Sequence, residues 1–165
     1  MSATITDSDI DPNRLAELAT AIMGGTTDIA TIQGVSNEQL EAIYALAHGH
    51  YASGDYENAQ ALFLFLTVYR NVEKRFWLGL AACQQMLRQY PVALRSYGIC
   101  AMLDAEDPQV PLRAGECFMA MGDKTNAISA LEASIIVAGG APANAPYVAR
   151  ARLILGNLKS ADATA

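Results

Sequence analysis

An all-α solenoid of stacked helical hairpins is the fold this sequence predicts, and three observations predict it. Small and aromatic residues return every 34 positions: Ala59, Ala93 and Ala127; Ala47, Ala81 and Gly115; Leu46, Leu80 and Ala114; Phe63, Tyr97 and Leu131. The turn stretches Gly54-Asp55-Tyr56, Arg88-Gln89-Tyr90 and Gly122-Asp123-Lys124 keep the same step. Between Lys74 and Asp107 the apolar residues Trp77, Leu80, Ala81, Ala93, Leu94, Tyr97 and Cys100 recur at helical spacing, and Ala81 and Ala93 are small enough for two helix backbones to approach closely.

A helix-turn-helix unit repeating every 34 residues is the tetratricopeptide (TPR) period. The units fall at about 40–73, 74–107 and 108–141. The middle one carries the Trp-x-x-Leu-Ala start at Trp77 and the Ala-x-x-x-Tyr second helix at Ala93. Arg88 stands where the flanking units have a turn glycine, and the proline that usually closes a unit is absent at Asn71 and Ala105.

Taken in order, residues 1–10 are polar and are expected to form a tail outside a single domain spanning 11–159. Asp11-Pro12 starts a short helix with Leu15, Leu18, Ala19 and Ile22 on one face, ended by Gly24-Gly25. So short a helix is marginal alone. Its apolar face must dock on the repeats or on a second copy of the chain, which makes Leu15, Leu18 and Ile22 candidate dimerisation residues. Ile29, Ile32 and Val35 read as a short apolar link. Ser36 with Gln39 is a capping box that opens repeat one. Its first helix carries Tyr44, Leu46, Ala47, His50 and Tyr51 and its second carries Ala59, Leu62, Phe63, Leu66 and Tyr69. Pro108 and Pro111 confine the start of repeat three, whose helices are expected at Leu112–Met121 and Thr125–Val137. After Gly139-Gly140, a capping helix at about 146–159, with Val148, Ala151, Ile154 and Leu155 inward, covers the last apolar face. Residues 160–165 read as a polar tail.

Composition narrows the function classes. Hydrophobic content of 52% with 17% charge excludes disorder, and no apolar run approaches the 18 or so residues of a membrane span. The first residues carry neither a basic region nor an apolar stretch, so no secretory signal is read and a cytoplasmic location is expected. A net charge of −6 disfavours nucleic acid and anionic membranes as partners. Cys83, Cys100 and Cys117 lie inside helices without CxxC spacing and read as buried thiols, not as a disulfide framework or zinc site. His48 and His50, two apart on a helix, face different ways and cannot chelate one metal. No serine has a histidine partner at recognisable spacing, and no phosphate-binding glycine loop is present. The expectation is a binding protein rather than an enzyme, with no cofactor.

The first helix of each hairpin lines the inner surface of such a stack. The second, fifth, ninth, twelfth and thirteenth places of each unit put Glu41, Tyr44, His48, Tyr51 and Ala52 into the groove from repeat one. Repeat two adds Arg75, Leu78, Ala82, Gln85 and Met86, and repeat three adds Gln109, Leu112, Glu116, Met119 and Ala120. A groove for a terminal carboxylate needs convergent Lys and Asn. Here Tyr44, His48 and Gly79 occupy those places and Arg113 alone resembles the clamp. The register instead suits apolar side chains of an extended peptide, with Tyr44, His48, Tyr51, Leu78, Ala82, Gln85, Met86, Leu112, Glu116 and Met119 as the peptide-binding set.

From about Gly24 to Val137 the chain resembles the class II chaperones of bacterial type III secretion systems, the small TPR chaperones of translocator proteins. The resemblance is carried by Gly24-Gly25-Thr26, by Leu40-x-x-Ile43-Tyr44-x-Leu46-Ala47 and by Gly54-x-Tyr56-x-x-Ala59. Further on it is carried by Arg75-Phe76-Trp77-Leu78-Gly79-Leu80-x-Ala82-Cys83 and by Pro108-x-x-Pro111-Leu112-x-Ala114-x-Glu116-Cys117. It implies a cytoplasmic, ATP-independent chaperone that keeps hydrophobic translocators soluble for export. The groove would hold a short extended Pro-x-Leu-x-x-Pro-like segment, and the chain would form a possible homodimer through its N-terminal elements. His48 stands where relatives tend to have an aromatic residue. A TPR scaffold or regulator joining folded protein partners is the alternative that the residues leave open.

Overall fold

The computed structural model describes residues 16–17, 19–21, 24 and 28–162. Residues 16–17 and 19–21 have helical backbone, while Leu15, Leu18 and Ile22, the expected dimerisation residues, lie outside the described set, as do residues 1–10.

The expected link at Ile29 is a single helical turn, α1 (Ile29–Gln33). Asp28 caps it, accepting from Thr31 N at 2.7 Å, and Gly34 ends it with a left-handed φ of 69°. The Asp28 carboxylate also takes Arg70 Nε at 2.7 Å, so one side chain both starts this helix and ties it to the far end of the first hairpin.

Three hairpins follow: α2 (Asn37–Ala52) with α3 (Tyr56–Tyr69), α4 (Lys74–Met86) with α5 (Tyr90–Leu103), and α6 (Gln109–Ala120) with α7 (Lys124–Ala138). A 3₁₀ turn at Pro142–Asn144 leads into α8 (Ala145–Asp162). No strand occurs among the described residues. From α2 onward each helix packs on its successor, α1 packs on α3, α2 also touches α4, and α6 touches α8. That connectivity makes a TPR solenoid.

The start of α2 is the expected capping box: Ser36 Oγ accepts from Gln39 N at 3.2 Å, and Ser36 N donates to Gln39 Oε1 at 2.9 Å. In repeat three the helices begin earlier than expected. Pro111 sits in the first turn of α6, where its missing N–H has no intrahelical partner to lose, so the helix starts at Gln109 instead of Leu112. α7 spans Lys124–Ala138, and α8 runs on to Asp162 through part of the expected tail.

The hairpin turns repeat in backbone as well as sequence. Gly54, Arg88 and Gly122 occupy the same place and all have positive φ, 84°, 60° and 78°. The residue after each starts the next helix. Asp55 and Asp123 cap α3 and α7 through Asn58 N and Asn126 N, whereas Gln89 makes no capping bond to α5. The middle turn therefore lacks both devices of its neighbours.

The core runs along the stack. Ala59, Ala93 and Ala127 are fully buried. Leu40, Phe63, Leu66, Phe76, Leu80 and Cys83 fill the first junction, and Tyr97, Cys100, Val110 and Cys117 fill the second. Leu112, Leu131, Ala151, Ile154 and Leu155 fill the third. Leu46, expected to pack like Leu80, is 54% exposed. Leu80 is buried in the cluster that holds Ala59 and Phe63 of the preceding hairpin, and no hairpin precedes α2 among the described residues.

Polar ties close the loops. Lys74 Nζ bonds Asp104 at 2.6 Å and Asp107 at 2.7 Å. Burial alone would push this amine down, and the two carboxylates outweigh it and hold its pKa above the ordinary lysine value. Buried Ser134 donates to Pro108 O at 2.8 Å, and buried Ser96 donates to Gln84 Oε1 at 2.8 Å.

Arg88→Gly is expected to raise unfolding free energy by about 0.5–1 kcal/mol, because it removes a left-handed side-chain penalty larger than the backbone entropy it adds. Gln89→Asp should add about 1 kcal/mol by restoring the cap its neighbours have. Urea unfolding monitored by circular dichroism checks both; a loss of stability in either would contradict this account of the turn.

Candidate peptide groove

The first helices supply most of a concave surface with a cavity of about 280 Å³. Tyr44, His48 and Tyr51 enter it from α2, at successive turns of one helix face. Arg75, Leu78, Gly79, Ala82, Gln85 and Met86 enter from α4, and Gln109 and Arg113 from α6. The second helices contribute Phe63 and Tyr97, which form its floor.

The wall at repeat one is an aromatic cluster. Tyr44 meets His48 edge-on at 4.6 Å and Phe63 at 5.9 Å, and His48 meets Phe63 at 5.5 Å. These are the arrangements that ring quadrupoles favour. Arg75 lies over the Tyr44 ring at 4.6 Å and the Phe76 ring at 5.0 Å. The same guanidinium is held by both Glu41 oxygens, one at 2.9 Å, with Glu73 at 3.4 Å. Its edge is thus taken by carboxylates while two neighbouring rings, 5.5 Å apart, lie together against one side of it.

Phe63 reaches the cavity because Gly79 has no side chain: a Cβ there would overlap the Phe63 ring. One repeat later the equivalent pair is Tyr97 and Arg113, where a long side chain replaces the glycine and extends into the cavity.

The end at repeat three is polar. Tyr97 donates its hydroxyl to Gln85 Oε1 at 2.7 Å, which orients the amide so that Gln85 Nε2 reaches Glu116 at 3.3 Å. Glu116, with a side chain only 12% exposed, also accepts from Arg113 at 3.0 Å and from Arg150 of α8 at 3.1 Å. Gln85, Glu116, Met119, Ala120 and Arg150 line an adjoining hollow that continues the surface.

Burial governs the phenols that line the cavity and the thiols packed in the core behind it. Burial pushes the phenols of Tyr44, Tyr51 and Tyr97 up, so they stay neutral donors. It also raises the thiols of Cys83, Cys100 and Cys117 to about 11, 12 and 11, leaving no thiolate at neutral pH. His50 Nδ1 pairs with Asp55 at 2.8 Å behind the groove and joins α2 to the cap of α3. Among the described residues, no three His, Cys, Asp or Glu side chains gather as metal ligands.

The structure brings seven of the ten expected groove residues, Tyr44, His48, Tyr51, Leu78, Ala82, Gln85 and Met86, to one cavity. Glu116 and Met119 line the adjoining hollow. Leu112 is the correction. It is 4% exposed and packs with Leu131, Ala151, Ile154 and Leu155, because α8 lies over the place it was expected to line. Phe63, Tyr97 and Arg150 were not expected there. The signal for Arg150 was available: continuing the 34-residue register into a fourth unit puts it at the groove-facing ninth place, one repeat on from Glu116.

No family model matches the chain. Low calcium response locus protein H of Yersinia pestis is 40% identical over 110 residues, 67% of this chain, and the match spans 65% of that relative's length. Two structures of the type III secretion translocator chaperone SycD of Yersinia enterocolitica, one of them an alternative dimer, superpose with TM-scores of 0.75 at 34% identity. The match with the first covers 79% of this chain and 97% of SycD. PcrH of Pseudomonas aeruginosa in complex with the chaperone binding region of PopD gives a TM-score of 0.74 at 34% identity, covering 78% of this chain and 97% of PcrH.

Gly79→Ala is expected to cost about 1–3 kcal/mol of stability, since the Phe63 ring is confined by Tyr44 and His48 and cannot withdraw without opening the wall. Gly98→Ala, in the middle of α5 with open space around it, should instead stabilise by about 0.5–1 kcal/mol. Thermal unfolding of the two variants beside the parent measures the contrast; equal shifts would refute the role given to Gly79.

Proposed function

This chain belongs to the translocator chaperones of type III secretion, and from that premise we propose that it is a cytoplasmic chaperone for hydrophobic translocator proteins. It binds an extended apolar segment of the client in the concave groove and keeps that client soluble and competent for export. The observation that carries this reading is the preformed aromatic and aliphatic cavity. Its Tyr44, His48, Tyr51, Leu78, Ala82, Gln85 and Met86 offer pockets to side chains, while Gln109 and Gln85 offer partners to a peptide backbone. The likeness to PcrH, solved with the chaperone binding region of PopD, supports it from outside the chain.

Translocators later enter a membrane, so their apolar stretches aggregate in water unless covered. A groove that buries about 800 Å² per partner suffices when a few anchors fit well. Its wall side chains are tied to one another by ring contacts and hydrogen bonds, which lowers the ordering entropy lost when the segment enters. Holding of this kind forms and breaks no covalent bond, and with its phenols neutral the groove acts as a receptor. A homodimer of the free protein is part of the proposal, in keeping with the dimer recorded for SycD. One domain spanning about 11–159 carries all of it.

Co-expression with a translocator from the same host should convert the client from insoluble to soluble and yield a complex whose mass is readable by light scattering. Tyr51→Ala and Leu78→Asp should each weaken client binding by about 2 kcal/mol or more with helicity unchanged. If both variants bind as the parent does, the groove is not the client site.

A further inference from the structure

The two ends of the groove differ in charge and in how their arginines are used. At repeat one, Arg75 carries one positive charge against Glu41 and Glu73, a local balance of −1, and its guanidinium is engaged by both carboxylates and by the Tyr44 and Phe76 rings. At repeat three, Arg113 and Arg150 stand against Glu116 alone, a local balance of +1 in a chain whose net charge is −6.

Glu116 uses its two oxygens to fix two guanidinium groups. Oε2 takes Arg113 through one terminal nitrogen and Oε1 takes Arg150 through Nε. A guanidinium has five N–H donors in a planar fork. Among the described residues neither arginine has another protein partner, so each keeps a free edge. The two arginine side chains are 44% and 57% exposed, while the Glu116 side chain that holds them is only 12% exposed. Gln85, itself oriented by the Tyr97 hydroxyl, braces the same carboxylate from the cavity side. A largely covered carboxylate holding two exposed forks makes a preorganised receptor for a planar anion.

We propose that Arg113 and Arg150, positioned by Glu116, take the carboxylate of an Asp or Glu side chain in the segment bound in the groove, and so set its direction and register. The inference rests on the translocator-chaperone reading and adds to it a specificity that apolar pockets alone do not supply. Apolar anchors spaced along an extended strand fit nearly as well reversed or slipped by two residues. A charged contact at one end of the groove discriminates among those placements. The acidic side chain lies beyond the apolar anchors, toward α8. A chain-terminal carboxylate is disfavoured because Tyr44, His48 and Gly79 occupy the places from which a terminal clamp would draw its donors.

The test uses the full chain and, as probe, C-terminally amidated peptides of the chaperone binding region of PopD in which each polar position in turn carries Glu or Gln. Affinities are measured by fluorescence anisotropy. One position, or two close neighbours, should prefer Glu over Gln by about tenfold, a preference reduced to about threefold by R150Q and below twofold by R113Q/R150Q. R150Q leaves Glu116 paired with Arg113, so it decides the matter if the double variant does not fold. A Glu preference at no position, or one that R150Q leaves at full size, overturns the proposal. Arginine dependence seen only with free-acid peptides overturns it too and assigns the contact to a chain terminus. Failure of every probe to bind the parent protein would count against the translocator reading, and this inference would fall with it.

Discussion

The close approach of the Phe63 ring to the backbone at Gly79 is the contact on which the rest of the groove depends. It joins the second helix of one hairpin to the first helix of the next. It also puts the Phe63 ring at the bottom of the cavity, in T-shaped contact with Tyr44 and His48. Packing between repeats and shaping of the site are here one event. In a solenoid, where each unit touches only its neighbours, an inter-repeat contact of this kind carries stability that no single hairpin has. One methyl group at Gly79 would disturb both.

The same repeat position explains why the groove changes character along its length. Ala45, Gly79 and Arg113 are equivalents, and the residue there decides whether the floor is aromatic or roofed by a cation. Ion pairs follow the repeat as well. Glu41 with Arg75 and Glu116 with Arg150 each join residues 34 apart, so neighbouring units offer opposite charges at matching places. Identical repeats would set like charges there and repel. Divergence between the units supplies the electrostatic part of their adhesion.

Much of this was legible in the sequence because a fixed period converts one correct assignment into three. The hairpins, the capping box at Ser36, the equivalence of Gly54, Arg88 and Gly122, and the inward face of α8 all follow from register and local chemistry. The errors come from the ends of the array, where the period no longer describes the surroundings. Leu46 has the sequence of a packed residue and no preceding hairpin in the described structure to pack it. Leu112 has the address of a groove residue and is covered because α8 takes the place of a fourth first helix, its fully buried Ala151 in step with Cys83 and Cys117. Arg150 falls outside a three-unit register for the same reason, since its place belongs to a fourth unit that α8 only half completes. Phe63 and Tyr97 are read from sequence as core, and they are buried core. That the Phe63 ring also floors the cavity depends on the missing side chain at Gly79, a relation between elements that periodicity in one element does not express.

The end of the stack has a kinetic meaning as well. α8 is half a repeat, packed on α7 and α6, and among the described residues nothing continues the array beyond it. In a nearest-neighbour array the terminal element pays the least free energy to open locally, so its amide protons exchange before those of α4 or α5. Arg150 rides on that element. The lifetime of the cationic end of the groove is thus set by the fraying of one helix, while the aromatic end persists as long as the first two hairpins stay docked. A segment held at both ends would lose its grip near α8 first and could be drawn out lengthwise, without the fold ever coming apart.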